Sequence, residues 1–207
     1  DGYTLRLIRE EIESDYKFVL KDALDKIKIL KGDIERQKVF AHTNFVEPML
    51  DYIVNDFEKS RLTFSDSSIG GMVVCDSSDQ AKEMFRIFNE KYALKTEQEE
   101  ELLQAAEPKA DYKAKLKHSY KVKTAALILH DIGTKDERKD VVEDFKEGEI
   151  DFLFVYNMLL TGFDAKRLKK LYIGRVIKRH NLLQTLTRVN RTYKNFKYGY
   201  VVDFADI

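Results

Sequence analysis

The chain has 207 residues, of which 43% are hydrophobic and 35% are charged, with 13 phenylalanines and 11 tyrosines. This composition supplies a core for about one domain and excludes a disordered chain. The single cysteine excludes an internal disulfide and a cysteine-based metal cage, and it suits a reducing compartment, so we expect a cytoplasmic protein. No apolar run approaches the ~18 residues of a membrane span, and we expect neither a signal peptide nor a membrane partner. Because residue 1 is aspartate, we interpret the chain as a piece of a longer protein, with processing as the alternative explanation.

Charge is distributed unevenly, although Lys plus Arg and Asp plus Glu both number 36. Residues 164–200 contain eleven basic residues and one acid, whereas residues 1–163 carry a net charge of −8. The zero net charge excludes a wholly basic nucleic-acid coat but permits a local basic face. An acidic front and a basic tail predict that a polyanion would meet the C-terminal third. A solvated basic face is the alternative interpretation.

The first 62 residues are predicted to form a lead-in and two helices that pack on a core. Within residues 1–31, apolar residues recur at spacings of three and four, which predicts an amphipathic helix. These residues are Ile8, Ile12, Tyr16, Val19, Leu20, Leu24 and Ile27. A second helix is predicted to begin near Asn44, whose spacing to Glu47 fits a capping box.

Short apolar strands alternate with helices over residues 63–207. The predicted strands are 72–75, 125–129, 150–156, 168–173 and 198–204. One predicted helix begins after Ser77, and two others span residues 135–146 and 180–193. This alternation predicts an α/β fold with a mostly parallel sheet and helices on both faces. Residues 93–121 are highly charged and predict an exposed helical insertion, with a solvated linker as the alternative.

Ligands of such sheets bind outside the carboxyl ends of the strands. The loops expected there are 75–78, 130–134, 157–164 and 174–183. The sequence contains no G-x-x-x-x-G-K-[ST] phosphate loop, no G-x-G-x-x-G fingerprint and no H-E-x-x-H motif. Its four histidines are scattered, so we predict no metal site. Cys75 follows a buried strand, which favours an inert core thiol over a nucleophile.

The most specific segment is the predicted helix 180–193. Gln184, Arg188 and Arg191 are spaced four and three residues apart, so they would share one helix face. Two arginines one turn apart could bracket a phosphoryl group, since each guanidinium presents a fork of donors. Two solvated arginines on an amphipathic helix are the alternative.

Two weaker segments could also contact phosphate or sugar. Gly162 would allow close backbone approach, with the Thr161 hydroxyl and the Asp164 carboxylate beside it, but T-G-x-D also describes an ordinary turn. Ser77 and Ser78 could hold a phosphate at a helix N-terminus, and a simple helix cap is the alternative.

Taken in order, these segments resemble the second RecA-like domain of superfamily 2 helicases. The wording MLLTGFDA followed by HNLLQTLTRVNRTY is most similar to the restriction (R) subunit of type I restriction enzymes, and the opening DGYTLRLIREEI resembles the same subunits. The resemblance covers most of the chain, and it is strongest over 150–207 and weakest over 93–121. Two positions depart from it: Thr187 stands where the broader superfamily usually has Gly, and Lys166 where the restriction subunits commonly have Pro.

The resemblance implies a RecA-like three-layer lobe that completes an ATP site with Mg²⁺ held by a first lobe. It implies that Arg188 and Arg191 are arginine fingers and that Gly162, Asp164 and Gln184 contribute to nucleotide binding. It also implies DNA-backbone contacts, assigned to Ser77, Ser78, Thr161, Lys178 and Arg179.

The partners implied by the resemblance are double-stranded DNA, a first lobe and a nuclease domain in the parent chain, and methyltransferase and specificity subunits. The expected function is the second motor lobe of an ATP-dependent DNA translocase, inactive by itself. Two alternatives stay open at this point. One is a passive nucleic-acid-binding module, and the other is an interaction domain whose segment 93–121 binds a partner.

Overall fold

The computed structural model describes residues 6–31, 36–93, 120–158, 163–174 and 185–204. Six strands form one sheet in the order β1-β6-β5-β2-β4-β3, and every pairing is parallel. The strands are β1 (Arg6–Glu10), β2 (Gly70–Val74), β3 (Ala125–Ile128), β4 (Phe152–Val155), β5 (Leu168–Ile173) and β6 (Tyr198–Asp203). The central strands β2, β4 and β5 are buried throughout, as expected for a parallel sheet that helices cover on both faces.

Helices cover both faces of this sheet. They are α1 (Ser14–Lys31), α2 (Arg36–Phe40), α3 (Thr43–Phe64), α4 (Ser78–Phe88), which continues into a π-helical turn (Asn89–Ala93), and α5 (Lys135–Glu147). Residues 185–189 are also helical. The three-layer RecA-like α/β class predicted from the sequence is therefore confirmed.

Alternation along the strands divides the core in two. Val73, Phe154 and Tyr172 join the core beneath α1, α3 and α4, which we call the α3 face. Their neighbours Val74 and Leu171 join a second core with α5 and the 185–189 helix, which we call the α5 face. Successive strand residues point to opposite faces, so both cores depend on the same strands.

Local sequence explains where several helices begin and end. The Ser77 hydroxyl accepts a hydrogen bond from the Gln80 N–H and caps α4, as its spacing predicts. Thr134 and Glu137 form a reciprocal capping box at the start of α5. Gly148 ends α5 with a φ of 106°, a backbone conformation that favours glycine.

The structure corrects the prediction for the first residues. Residues 6–10, whose Ile8 belongs to the helical pattern predicted within residues 1–31, instead form β1 and pair with β6 in parallel. The helix begins only at Ser14. The helix predicted to begin near Asn44 is α3, and its cap is His42 and not Asn44. The His42 imidazole Nδ1 accepts a hydrogen bond from the Asn44 N–H. The predicted division of the chain at residue 62 stays a prediction.

Several predicted features lie outside the described residues. They are most of the charged insertion 93–121, together with Thr161, Gly162, Gln184, Lys178 and Arg179.

Candidate functional site

Three of the predicted site residues come together on the α5 face. Arg188 donates from Nη1 to the backbone carbonyl oxygen of Phe163 at 2.8 Å. Arg191 forms an ion pair from Nη1 to Oδ2 of Asp164 at 2.9 Å. Both guanidinium groups therefore reach the short segment that precedes β5. We call Arg188, Arg191 and Asp164 the arginine site.

The electrostatics of this site favour an anion. Burial lowers the pKa of the Arg188 guanidinium, and the positive charge of Arg191 lowers it further, while Asp164 opposes both. Two like charges held close together gain from a shared counter-ion. A phosphoryl group with several acceptor oxygens matches two guanidinium forks.

The prediction that one helix presents both arginines is wrong. Helical geometry ends at Val189, so Arg191 lies two residues beyond the helix. The spacing of the two guanidinium groups is therefore set by the turn after the helix and not by a helical repeat. The contacts of that turn decide where Arg191 lies.

The turn is held against the start of β5 and β6. The Lys169 ammonium donates to the backbone carbonyl oxygens of Val189, at 3.4 Å, and of Arg191, at a very short distance. A Cβ atom at Gly199 would lie 2.4 Å from the Val189 carbonyl oxygen, so only glycine allows this approach. The backbone between Val189 and Arg191 is therefore packed tightly against β5 and β6.

The predicted site residues fall at two different ends of the sheet. Ser77 and Ser78 follow β2 at the carboxyl edge, where ligands of such sheets usually bind. The arginine site lies beside Lys169 and Gly199, near the amino-terminal ends of β5 and β6. A five-residue strand spans ~17 Å, so the structure does not bring the two groups together.

The serine loop also has a structural role. The Ser77 side chain is buried and its hydroxyl caps α4, while Ser78 is half-buried. The backbone N–H of Asp76 is bound by the Gln80 side-chain oxygen at 2.6 Å. The helix-cap alternative therefore describes what Ser77 does in this structure.

The basic tail is less exposed than its sequence suggests. Eight of the eleven basic residues in 164–200 lie in the described part of the chain, and three of these eight are buried: Arg167 is 3% exposed, Lys169 0% and Lys170 2%. Arg167 donates to the carbonyl oxygens of Phe145 and Ile150 at 2.7 and 2.6 Å. These three cations bind the protein itself, so they add nothing to a basic face, and the prediction that a polyanion meets the C-terminal third stays a prediction.

The cysteine and His130 do not form a reactive or metal-binding site in the described part of the chain. The Cys75 thiol is fully buried, and burial raises its pKa, which confirms the inert core thiol. His130 is exposed, with its carbonyl bound by Arg138. Within the part of the chain that the structure describes, no group of three His, Cys, Asp or Glu could hold a metal ion. Across the same residues, no helix has the length and hydropathy of a membrane span.

Sequence reasoning missed Lys169 and Lys170. Both stand in the predicted strand 168–173, where only apolar residues were expected to be buried. The one available signal was the pair itself, since two consecutive lysines are unusual in a central strand of a parallel sheet.

The parallel sheet and its two helical layers define a three-layer RecA-like α/β domain as the class. The family model described as type I restriction enzyme subunit R domain 3 matches residues 75–206. The chain belongs to this family.

Curated relatives agree with this assignment. The SauCOLORF180P endonuclease subunit of a type I restriction enzyme from Staphylococcus aureus is 34% identical over 99 residues, 47% of this chain and 10% of the relative. The putative MjaIXP endonuclease subunit of Methanocaldococcus jannaschii is 38% identical over 78 residues, 37% of this chain and 8% of the relative. The matched segments span about a tenth of the length of these relatives.

Solved structures with a similar fold include two helicases. Domain 2 of the DEAD-box helicase Mss116p, bound to an RNA duplex, gives a TM-score of 0.49 at 17% identity and covers 80% of this chain and 50% of that chain. The Mycobacterium smegmatis helicase Lhr, bound to single-stranded DNA and AMP-PNP, gives 0.48 at 16% identity and covers 78% of this chain and 17% of that chain. Likenesses of this size concern the fold alone.

Proposed function

We propose that the chain is the second motor lobe of an ATP-dependent double-stranded DNA translocase in a type I restriction enzyme. ATP and Mg²⁺ bind against a first lobe that carries the phosphate loop missing from this sequence. Closure of the two lobes brings Arg188 and Arg191 to the γ-phosphate, where they stabilise charge in the transition state. Reopening after hydrolysis moves the enzyme along DNA.

The convergence of Arg188 and Arg191 on one backbone segment is the observation that carries this proposal. Arg191 and Asp164 are 40% and 52% exposed, so their ion pair is worth about 0–1 kcal/mol. A triphosphate can replace such a weak partner. Asp164 then becomes available to a nucleotide hydroxyl, in line with the role that the family resemblance implies.

DNA contacts are proposed for the other positions named from the resemblance. They are Ser77, Ser78, Thr161, Lys178 and Arg179, with Gly162 and Gln184 on the nucleotide side. Ser77 would act by orienting the loop, because its hydroxyl already caps α4. The nuclease domain and the methyltransferase and specificity subunits are proposed as partners in the parent enzyme.

The test replaces each arginine in the full-length R subunit, assembled with its partners on DNA. Arg188→Ala and Arg191→Ala should each lower kcat for ATP hydrolysis by ~10³-fold, as removal of an arginine finger does. Lys197→Ala is the matched control, because Lys197 is an exposed cation in the same basic third. Its turnover should match the wild type.

Unchanged turnover in both arginine variants would remove the finger assignment. The 207-residue chain by itself should show no appreciable ATPase activity, and strong hydrolysis would contradict the proposal. Adding this chain to a lobe that carries the phosphate loop should accelerate ATP turnover. A passive nucleic-acid-binding module would bind DNA without that acceleration.

A further inference from the structure

Two consecutive lysines in β5 are buried on opposite faces of the sheet. Lys170 enters the α3 face and forms ion pairs with Glu10 and Asp56, both at 2.7 Å. Lys169 enters the α5 face and donates to the carbonyl oxygens of Val189 and Arg191. The first lysine of the pair therefore holds the turn that follows the arginine helix.

Lys169 lies beside an irregularity in the pairing of β5 with β2. Gly70 pairs with Leu168 and Gly71 pairs with Lys170, so Lys169 is an extra residue on β5 relative to β2. Lys170 lies on the α3 face and Leu171 on the α5 face, so regular alternation already places Lys169 on the α5 face. Lys169 thereby reaches the backbone beyond the helix.

The positive charge of Lys170 is balanced by two carboxylates, whereas no carboxylate among the described residues balances that of Lys169. Within the described residues, no carboxylate lies within ion-pair distance of Lys169, and burial lowers its pKa to about 8. Its compensation comes from the carbonyl dipoles at the end of the 185–189 helix. Burying a cation without an acid is expensive, and natural sequences break such rules mainly at functional sites.

We propose that Lys169 is a positioning residue for the arginine site. Its two hydrogen bonds fix the backbone between Arg188 and Arg191, and the close approach of Gly199 blocks movement of Val189. The two guanidinium groups are then held on the adjacent residues Phe163 and Asp164, where they could bind one phosphoryl group. This inference rests on the proposed function, because it assumes that the arginines meet a phosphate.

The test measures ATP turnover of Lys169→Met in the full-length R subunit, assembled with its partners on DNA. Met keeps the apolar stem and removes the donor. A misplacement of about 1 Å can lower catalysis by ~10²-fold, so we expect kcat to fall by about 10- to 100-fold while KM for ATP is unchanged. Lys170→Met is the matched control, since it removes a buried lysine from the other face, and it should lower the melting temperature without lowering kcat.

A double variant separates positioning from a general structural effect. If Lys169 acts through Arg191, Lys169→Met combined with Arg191→Ala should turn over ATP as Arg191→Ala alone does. The inference would be overturned if adding Lys169→Met to Arg191→Ala lowered kcat by the same factor as Lys169→Met does in the wild type. Should Lys169→Met destabilise the protein more than Lys170→Met does, Lys169→Arg, which retains donors, must keep kcat within about threefold of the wild type, and a loss as large as that of Lys169→Met would overturn the inference.

The two proposals fail in different ways. Normal turnover in Lys169→Met, with turnover lost in Arg191→Ala, would overturn the role of Lys169 and leave the arginine fingers standing. Normal turnover in Arg188→Ala and Arg191→Ala would overturn the proposed function and this inference with it.

Discussion

The carboxylate of Asp151 joins two buried arginines, and its loss should destabilise the fold strongly. Its Oδ1 accepts a hydrogen bond from Nη2 of Arg61, and Nη2 of Arg167 lies 4.0 Å from the same oxygen. Its Oδ2 accepts the backbone N–H of Lys123 at 2.8 Å. Arg61 extends from α3 to the Ile69 carbonyl oxygen at 2.8 Å, so this cluster ties α3 to the start of β2 and to the segment before β3.

The expected loss in free energy of unfolding follows from the two buried arginines that Asp151→Ala leaves without their shared carboxylate. Burial lowers the pKa of the Arg167 guanidinium, Asp151 opposes that shift, and the charge of Arg61 adds to it. Removing the acid leaves two cations facing each other in the interior, a change that typically lowers the free energy of unfolding by ~3–5 kcal/mol. For a domain of this size, that loss corresponds to a fall in Tm of about 6–20 °C. Asp151→Asn retains acceptor capacity for the backbone and should lose less.

Urea unfolding followed by far-UV circular dichroism measures these losses. Glu143→Ala is the control, because Glu143 pairs with Lys146 at the surface of α5 and its removal should change the free energy of unfolding by less than about 0.5 kcal/mol. A loss below about 1 kcal/mol for Asp151→Ala, the range of an exposed ion pair, would refute the assignment of a buried charge cluster.

Three further measurements test other contacts. Gly199→Ala places a Cβ 2.4 Å from the Val189 carbonyl oxygen, so thermal unfolding should show a loss of about 1–3 kcal/mol, and an unchanged Tm would contradict the close approach. Thr134→Ala removes one half of the capping box of α5 and should lower the free energy of unfolding by about 1 kcal/mol in the same assay, with Lys135→Ala as the neighbouring control. Because burial lowers the pKa of Lys169 to about 8, the unfolded chain binds the extra proton between pH 8 and 10, so the wild type should gain stability across that window relative to Lys169→Met. If the difference in free energy of unfolding between the two proteins does not change from pH 8 to 10, Lys169 is solvated and this prediction is wrong.

The strands and caps that follow local rules could be predicted from the sequence. The predicted strand 168–173 has the observed bounds of β5, and Ser77 caps α4 as its spacing to Gln80 indicates. In each case a few neighbouring residues carry the information. Short apolar runs predict buried strands, and a hydroxyl three residues before a glutamine predicts a helix start.

β1 could not be found in this way. Ile8 and Ile12 are four residues apart, so they extend the helical pattern of the residues that follow. Their strand conformation depends on pairing with β6, whose residues lie about 190 positions later in the chain. A five-residue edge strand has too little periodicity of its own to compete with that pattern.

The arginines of the proposed site are brought together by contacts that their motif does not contain. The spacing of Arg188 and Arg191 placed both on one helix face, yet the helix ends at Val189. Their common orientation comes from Lys169 and Gly199, neither of which has a motif. Composition counted Lys169 in a basic face, but the strand β5 is buried on both sides, so alternation turns Lys169 into the α5 face. Charge counts describe a surface only after the fold has decided which charges remain on it, and here the buried lysine contributes more to the proposed phosphate site than an exposed one could.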